Sequence, residues 1–245
     1  MVYNIIKMSL KSVKNKEVED LDFRRYSMYL KTVQAAAIRT LSEALKEVLI
    51  DVNIHFDDSG FSINSMDRFK TAFIHLKLDS DKFETYYCAK PFPIGLNMIS
   101  LHKLLKTINN SDIVTLYVEK DNDQCLCIEI TNKEKKSRSL SKLKLLDVDD
   151  NKIIIPDIMF DCVYNMQCSD FQKNCRDLAT IAETVKVYSN GDVFKLEVAG
   201  TFAEQSIQIG TSDKTDDFVF IGEYQLKYLN LFCKSSGLCP TIEIY

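Results

Sequence analysis

The sequence is most informative at first through what it lacks. It has no run of eighteen apolar residues, so nothing in it suggests a membrane-spanning helix. Residues 1–20 lack the apolar core of a signal peptide. None of the eight cysteines forms a Cys-x-x-Cys pair, and His55, His75 and His102 show no metal-ligand spacing, which argues against zinc. The cysteines read as reduced, small apolar residues of an intracellular protein. Cys125 and Cys127 alternate within a strand-like run, which puts both on one sheet face. There is no nucleophile motif, no Gly-rich phosphate loop and no carboxylate pair that stands out, so no catalytic residue, resident metal or cofactor is expected.

What is present is a chain of 245 residues, 46% hydrophobic, enough for one large or two modest domains with real cores. The net charge is −4, which taken alone argues against a nucleic-acid binder. The stretch Leu146–Pro156, LDVDDNKIIIP, divides the chain into two similar lengths. Its acids and closing proline suggest an exposed connector with an apolar docking edge, while Ile153–Ile155 also suits a buried strand.

Each half carries two amphipathic stripes followed by strand pairs. Ile38, Leu41, Leu45 and Val48 recur at helical spacing within Val33–Leu49. Leu101, Leu104, Leu105 and Ile108 do so after Ser100, a plausible N-cap. Phe171, Cys175, Leu178 and Ala182 follow Ser169 or Asp170 as cap, and Leu226, Leu229 and Cys233 precede Gly237 as a helix stop. Hairpins are expected at Asn53–Met66, turning on Asp57–Gly60, at Ile113–Ile130, and at Thr184–Ala199, where Asn190-Gly191 suits a type I′ turn. Ala72–Leu78, Phe83–Cys88, Leu140–Leu146, Phe160–Met166, Phe202–Ile209, Asp217–Ile221 and Thr241–Tyr245 read as further strands, and Pro91, Pro93 and Gly95 as a loop. Residues 1–28 are mixed-charge and read as a flexible tail, a short helix or partner-binding arm being the alternative. One unit, helix then hairpin, thus occurs four times, the last copy without its second strand, and such repetition implies a symmetric architecture.

At about 100° per residue, each helix points a pair of cations away from its apolar stripe. These are Arg39 and Lys46, Lys103 and Lys106, Lys173 and Arg176, and Lys227 and Lys234. Outer helices space them at i, i+7 and inner helices at i, i+3. A solvated face explains any one helix. Matched positions on four point to a surface that meets a polyanion's phosphates and reads no bases.

At these residues the chain resembles the proliferating cell nuclear antigen (PCNA) family of sliding clamps. The resemblance rests on VQAAAIRTLSEALKEV, SINSMDRFKTAFIHLKL, FETYYC, IGLNMISLHKLLK, DIVTLYVE, FQKNCRDLATI and LKYLNLFCK, in that order, and runs from about Tyr29 to Tyr245. It implies an α+β DNA-clamp fold: two similar domains, each with two helices packed on antiparallel sheets, in a head-to-tail trimeric ring with helices lining the hole. The implied division is an extension at 1–28, a domain at 29–145, a connector at 146–156 and a domain at 157–245. The implied function is a polymerase processivity factor that encircles double-stranded DNA without sequence preference and performs no chemistry. A subunit of a hetero-oligomeric, checkpoint-type clamp is the alternative. Implied partners are DNA polymerase, a clamp loader and other PIP-box proteins, with no membrane, in the nucleus or at a viral replication site. Ring closure would join edge strands at Ser139–Leu146 (Leu143, Leu145) and Thr201–Ile209 (Ile207, Ile209), unless these pair within one chain. Met66, Lys70, Phe73, Ile153, Ile155, Pro156 and Phe160 would form the partner pocket. The sequence departs from the family at Lys70, where histidine is usual, at Thr40, where lysine is common, in a connector about two residues longer, and in missing final strands.

Overall fold

The computed structural model describes residues 22–149, 163–190, 192–210, 220–234 and 240–244. Most of the N-terminal segment, the connector residues Ile153, Ile155, Pro156 and Phe160, and the helix stop at Gly237 lie outside the described residues. The chain forms two compact units that part at Ile153 and Ile154.

In the first unit the chain runs β1 (Tyr26–Thr32), α1 (Ala35–Leu45), β2 (Asp51–Asp57), β3 (Gly60–Met66), β4 (Phe73–Asp79), β5 (Thr85–Cys88), β6 (Phe92–Asn97), α2 (Met98–Leu105), β7 (Ile113–Glu119), β8 (Asn122–Asn132) and β9 (Ser137–Lys144). The strands form two antiparallel sheets, β5-β1-β7-β8-β9 and β4-β3-β2-β6. The second unit runs β10 (Tyr164–Gln167), α3 (Cys168–Leu178), β11 (Thr184–Ser189), β12 (Phe194–Ala199), β13 (Glu204–Ile209), β14 (Phe220–Gln225), α4 (Leu226–Cys233) and β15 (Thr241–Ile244). Its sheets are β13-β12-β11-β14 and β10-β15.

The two units share a topology. The order β13-β12-β11-β14 repeats β4-β3-β2-β6 element for element, and β15 pairs antiparallel with β10 as β7 pairs with β1. That symmetry sets the last described strand, β15, beside Tyr164–Gln167, with Tyr164 opposite Ile244. In both units the strand after the second helix returns to the strand before the first.

Two expectations are corrected. β1 begins at Tyr26, inside the segment expected to be a tail, and Asp22 caps a 3-10 turn at Phe23–Arg25 just before it. Phe92–Asn97 is a strand and not a loop. Its proline and glycine are tolerated because β6 is the last strand of its sheet. In the hairpin of β11 and β12 the ladder runs to Ser189 and Phe194, and Asn190 N–H still donates across to the Val193 carbonyl at 3.3 Å. The Asn190 side chain closes the hairpin by accepting from the N–H groups of Asp192 at 3.0 Å and Val193 at 2.8 Å, an arrangement asparagine forms readily.

Helices α2, α3 and α4 follow their strands without a loop, and their first N–H groups find fixed acceptors. Met98 N–H donates to the Ile50 carbonyl at 2.7 Å and Leu226 N–H to the Glu183 carbonyl at 2.9 Å, equivalent places in the two units. The cap of α2 is Asn97, whose side chain accepts from Ser100 N–H at 2.9 Å; Ser100 lies inside the helix. The α3 cap is Gln167, the last residue of β10, and the expected caps Ser169 and Asp170 lie inside the helix.

Each helix pair buries its stripe against a sheet. In the first unit Leu30, Ile38, Leu45, Phe56, Leu101 and Leu116 surround an all-apolar cavity of about 50 Å³. In the second, Phe171, Leu178, Phe194, Leu196, Leu226 and Leu229 form the centre. Each such side chain contributes about 1.5–3 kcal/mol by leaving water.

Candidate nucleic-acid face and docking edges

The outward faces of α2 and α3 carry the same pattern of buried and exposed residues. Leu101, Leu105 and Ile108 are buried where Phe171, Cys175 and Leu178 are buried. Lys103 and Lys106 are exposed where Lys173 and Arg176 are exposed. None of these four cations makes a hydrogen bond or ion pair among the described residues. The i, i+3 spacing against an i, i+4, i+7 stripe dictates this, since it turns each cation to the side opposite the buried leucines.

The outer helices differ. On α1, Arg39 is half-buried and its Nη1 donates to the Ile108 carbonyl at the end of α2. A guanidinium there suits the negative end of the helix dipole. Lys46 is also half-buried and pairs with Glu47 at 2.6 Å. Arg39 is thus engaged across the helix pair, contrary to its expected outward placement, whereas Lys46 pairs with the next residue of its own chain segment. On α4, Lys227 and Lys234 are exposed, with the Lys227 ammonium 5.9 Å from the Tyr228 ring centroid.

Polar contacts stitch each helix pair together, and sequence reading missed them. Ser42 Oγ lies 3.0 Å from His102 Nδ1 between α1 and α2. Between α3 and α4 of the second unit, Asn230 donates to the Cys175 carbonyl and Gln172 to the Cys233 carbonyl, each at 3.2 Å. Burial and the neighbouring Lys46 lower the His102 pKa below its ordinary 6.5, so the imidazole is neutral at pH 7. The only available signal was the alignment of polar residues beside each apolar stripe.

Two sheet edges carry the expected docking strands. β9 ends the five-stranded sheet and pairs only with β8 among the described residues; β13 ends its own sheet and pairs only with β12. Leu143 and Leu145 are half-buried, as are Ile207 and Ile209. An unpaired edge bearing half-covered apolar side chains is suited to strand addition.

The expected partner pocket is brought together in part. Met66 is half-exposed at the end of β3, but Phe73 is 2% exposed and packs into the core. The neighbouring loop instead turns Phe69 outward at 70% exposure. Asp67 builds that loop: its carboxylate accepts from Phe69, Thr71 and Ala72 N–H at 3.2, 2.6 and 2.7 Å. Lys70 sits on it at φ 56°, exposed. The start of the connector is fixed to β6, where Leu146 N–H donates to the Gly95 carbonyl at 2.8 Å and Asn53 Nδ2 donates to the Val148 carbonyl at 2.9 Å. Only glycine permits this approach, because a Cβ at residue 95 would stand 2.2 Å from the Leu146 carbonyl oxygen.

Two topologically equal α+β units, each with a helix pair facing outward opposite its sheets, define a protein of the DNA-clamp fold. Comparison with known proteins gives the family. Residues 28–152 match the proliferating cell nuclear antigen N-terminal domain and residues 154–245 its C-terminal domain. A relative described as "Probable DNA polymerase sliding clamp 1", from Paramecium bursaria Chlorella virus 1, is 33% identical over 226 residues, covering 89% of this chain and 86% of the relative. The chain belongs to the proliferating cell nuclear antigen family of sliding clamps, which serve as polymerase processivity factors. Among the described residues no cluster of three or more His, Cys, Asp or Glu side chains is set to hold a metal, and no helix is long and apolar enough to cross a membrane.

Proposed function

We propose that the chain closes head-to-tail into a homotrimer around duplex DNA, β9 of one copy pairing with β13 of the next. Lys103, Lys106, Lys173, Arg176, Lys227 and Lys234 then face the phosphates. Arg39 serves chiefly to hold the helix pair, and Lys46 is partly neutralised by Glu47. The ring performs no chemistry and works where the genome is replicated, whether in a nucleus or at a viral replication site. DNA polymerase, a clamp loader and other PIP-box proteins dock beside the connector, on Met66, Lys70 and Phe69 with Ile153, Ile155, Pro156 and Phe160. Phe73 supports that surface from beneath.

The observation that carries this reading is the matched, exposed cation pairs on α2 and α3 of a chain whose net charge is −4. Positive charge confined to the helix faces holds DNA loosely enough to slide, and retention is topological. The test is mass in solution, with expected species of three chains of 28.1 kDa each. Ile207→Lys places a charge on the closing edge and should yield monomers; because Ile207 also packs against the core of its unit, a retained cooperative melt is the control for folding. A chain that stays monomeric alone and assembles only with a different subunit would favour the hetero-oligomeric clamp.

A further inference from the structure

The strongest feature left unused by the clamp reading is the seam between α3 and α4. Cys175 and Cys233 are 0% and 1% exposed, one on each helix, and their side chains hydrogen-bond each other. The amide bonds from Asn230 to the Cys175 carbonyl and from Gln172 to the Cys233 carbonyl bracket the pair and bring both backbones to the crossing point. Symmetry sharpens the point. With α3 equivalent to α1 and α4 to α2, the matching residues of the first unit are Ser42 and Leu105, both buried and neither able to form a sulfur bridge. In the second unit the same two places hold thiols.

We infer that Cys175 and Cys233 form a redox-modifiable dithiol, and that a hydroperoxide converts it to a disulfide tying α3 to α4. In the closed seam the contact with Cys175 and burial hold the Cys233 thiol in its protonated, unreactive form. Cys233 is the last residue of α4, so fraying of that turn opens it first. Once open, Lys234 beside it and Arg176 across the seam favour the thiolate. The Cys233 sulfur attacks a peroxide oxygen and the O–O bond breaks. The leaving oxygen departs as water, and Cys233 becomes a sulfenic acid. As the turn recloses, the Cys175 sulfur attacks the Cys233 sulfur and its proton leaves with the hydroxyl as a second water. Two thiols and one hydrogen peroxide thus give one disulfide and two waters. Cys125 and Cys127 offer no such step, because they sit two residues apart on one strand and, among the described residues, their cross-strand partners on β9 are Lys144 and Lys142. The bond would link two helices that carry Lys173, Arg176, Lys227 and Lys234.

The experiment treats the full chain with graded hydrogen peroxide, quenches it, unfolds it, alkylates remaining thiols and maps tryptic peptides. The expected product joins Asn174–Arg176 to Tyr228–Lys234, lighter by two hydrogens than the separate peptides. It should appear with a rise in melting temperature that a reductant reverses. Cys233→Ala and Cys175→Ala should each abolish both, and Cys125→Ala neither. Recovery of Cys175 and Cys233 as free thiols while other cysteines oxidise would overturn the inference. So would a disulfide joining either of them to a different cysteine. The peptide map needs no variant, so a substitution that unfolds the chain leaves the test intact.

Discussion

Reversing the charge of Lys103, Lys106, Lys173 and Arg176 to Glu separates the phosphate-facing role of the helices from every structural one. All four are exposed and none makes a hydrogen bond or ion pair among the described residues, so their loss removes no buried contact. Surface changes of this kind shift stability by less than about 0.5 kcal/mol. The ring should therefore assemble and melt as before. DNA association should change in proportion to the phosphates each chain neutralises. Each contact contributes a salt slope of about 0.9, which over a fourfold rise in salt is roughly 3.5-fold in affinity. Four contacts from one chain make this on the order of 10². The assay is DNA binding across a salt series for wild-type and variant rings of verified mass, on two DNA sequences. The variant should bind more weakly at low salt, with a flatter salt dependence, equally on both sequences. Curves that overlay while both rings are intact would mean that these helices do not face DNA.

Arg39→Ala should behave oppositely, costing about 1.5 kcal/mol by calorimetry because it strands the Ile108 carbonyl, with a small effect on salt slope. Gly95→Ala forces a Cβ to within 2.2 Å of the Leu146 oxygen; it should lower stability by about 1–3 kcal/mol and raise proteolytic cleavage near the connector. Asp57 accepts from the Ser59 hydroxyl at 2.6 Å and from the Ser59 and Gly60 N–H groups at 2.8 and 3.1 Å, which holds its pKa below the ordinary 3.8. Its stabilisation is therefore complete above 3.8 and lost as pH falls through the lower folded value. Asp57→Asn should flatten the melting temperature over that acid window and leave the neutral-pH slope unchanged.

The sequence made the helix stripes, the first hairpins and the paired cations readable, because period and register are local properties. Its failures were tertiary. Pro93 and Gly95 punctuate a loop in any central segment, and only the terminal place of β6 in its sheet makes them a strand. Arg39 lies on the polar side of its own helix, yet nothing in α1 tells that the last turn of α2 passes within its reach. Phe73 resembles a pocket residue by position, while the alternation of β4 turns it inward and the Asp67 turn brings Phe69 out in its place. The strand Thr241–Ile244 finds its partner by the symmetry of the two units, which pairing rules for neighbours in sequence do not supply.

The engagement of Arg39 and Lys46 gives the proposed ring an uneven lining. Where the second unit offers four exposed cations on its helices, the first offers two. The electrostatic potential felt by a duplex turning inside then has threefold and not sixfold periodicity. DNA held off-centre toward the richer sectors would have three shallow rotational minima, separated by the poorer ones. Sliding along the helical backbone would be a passage among these minima, so the friction of the clamp on DNA would be set by two side chains that touch no phosphate.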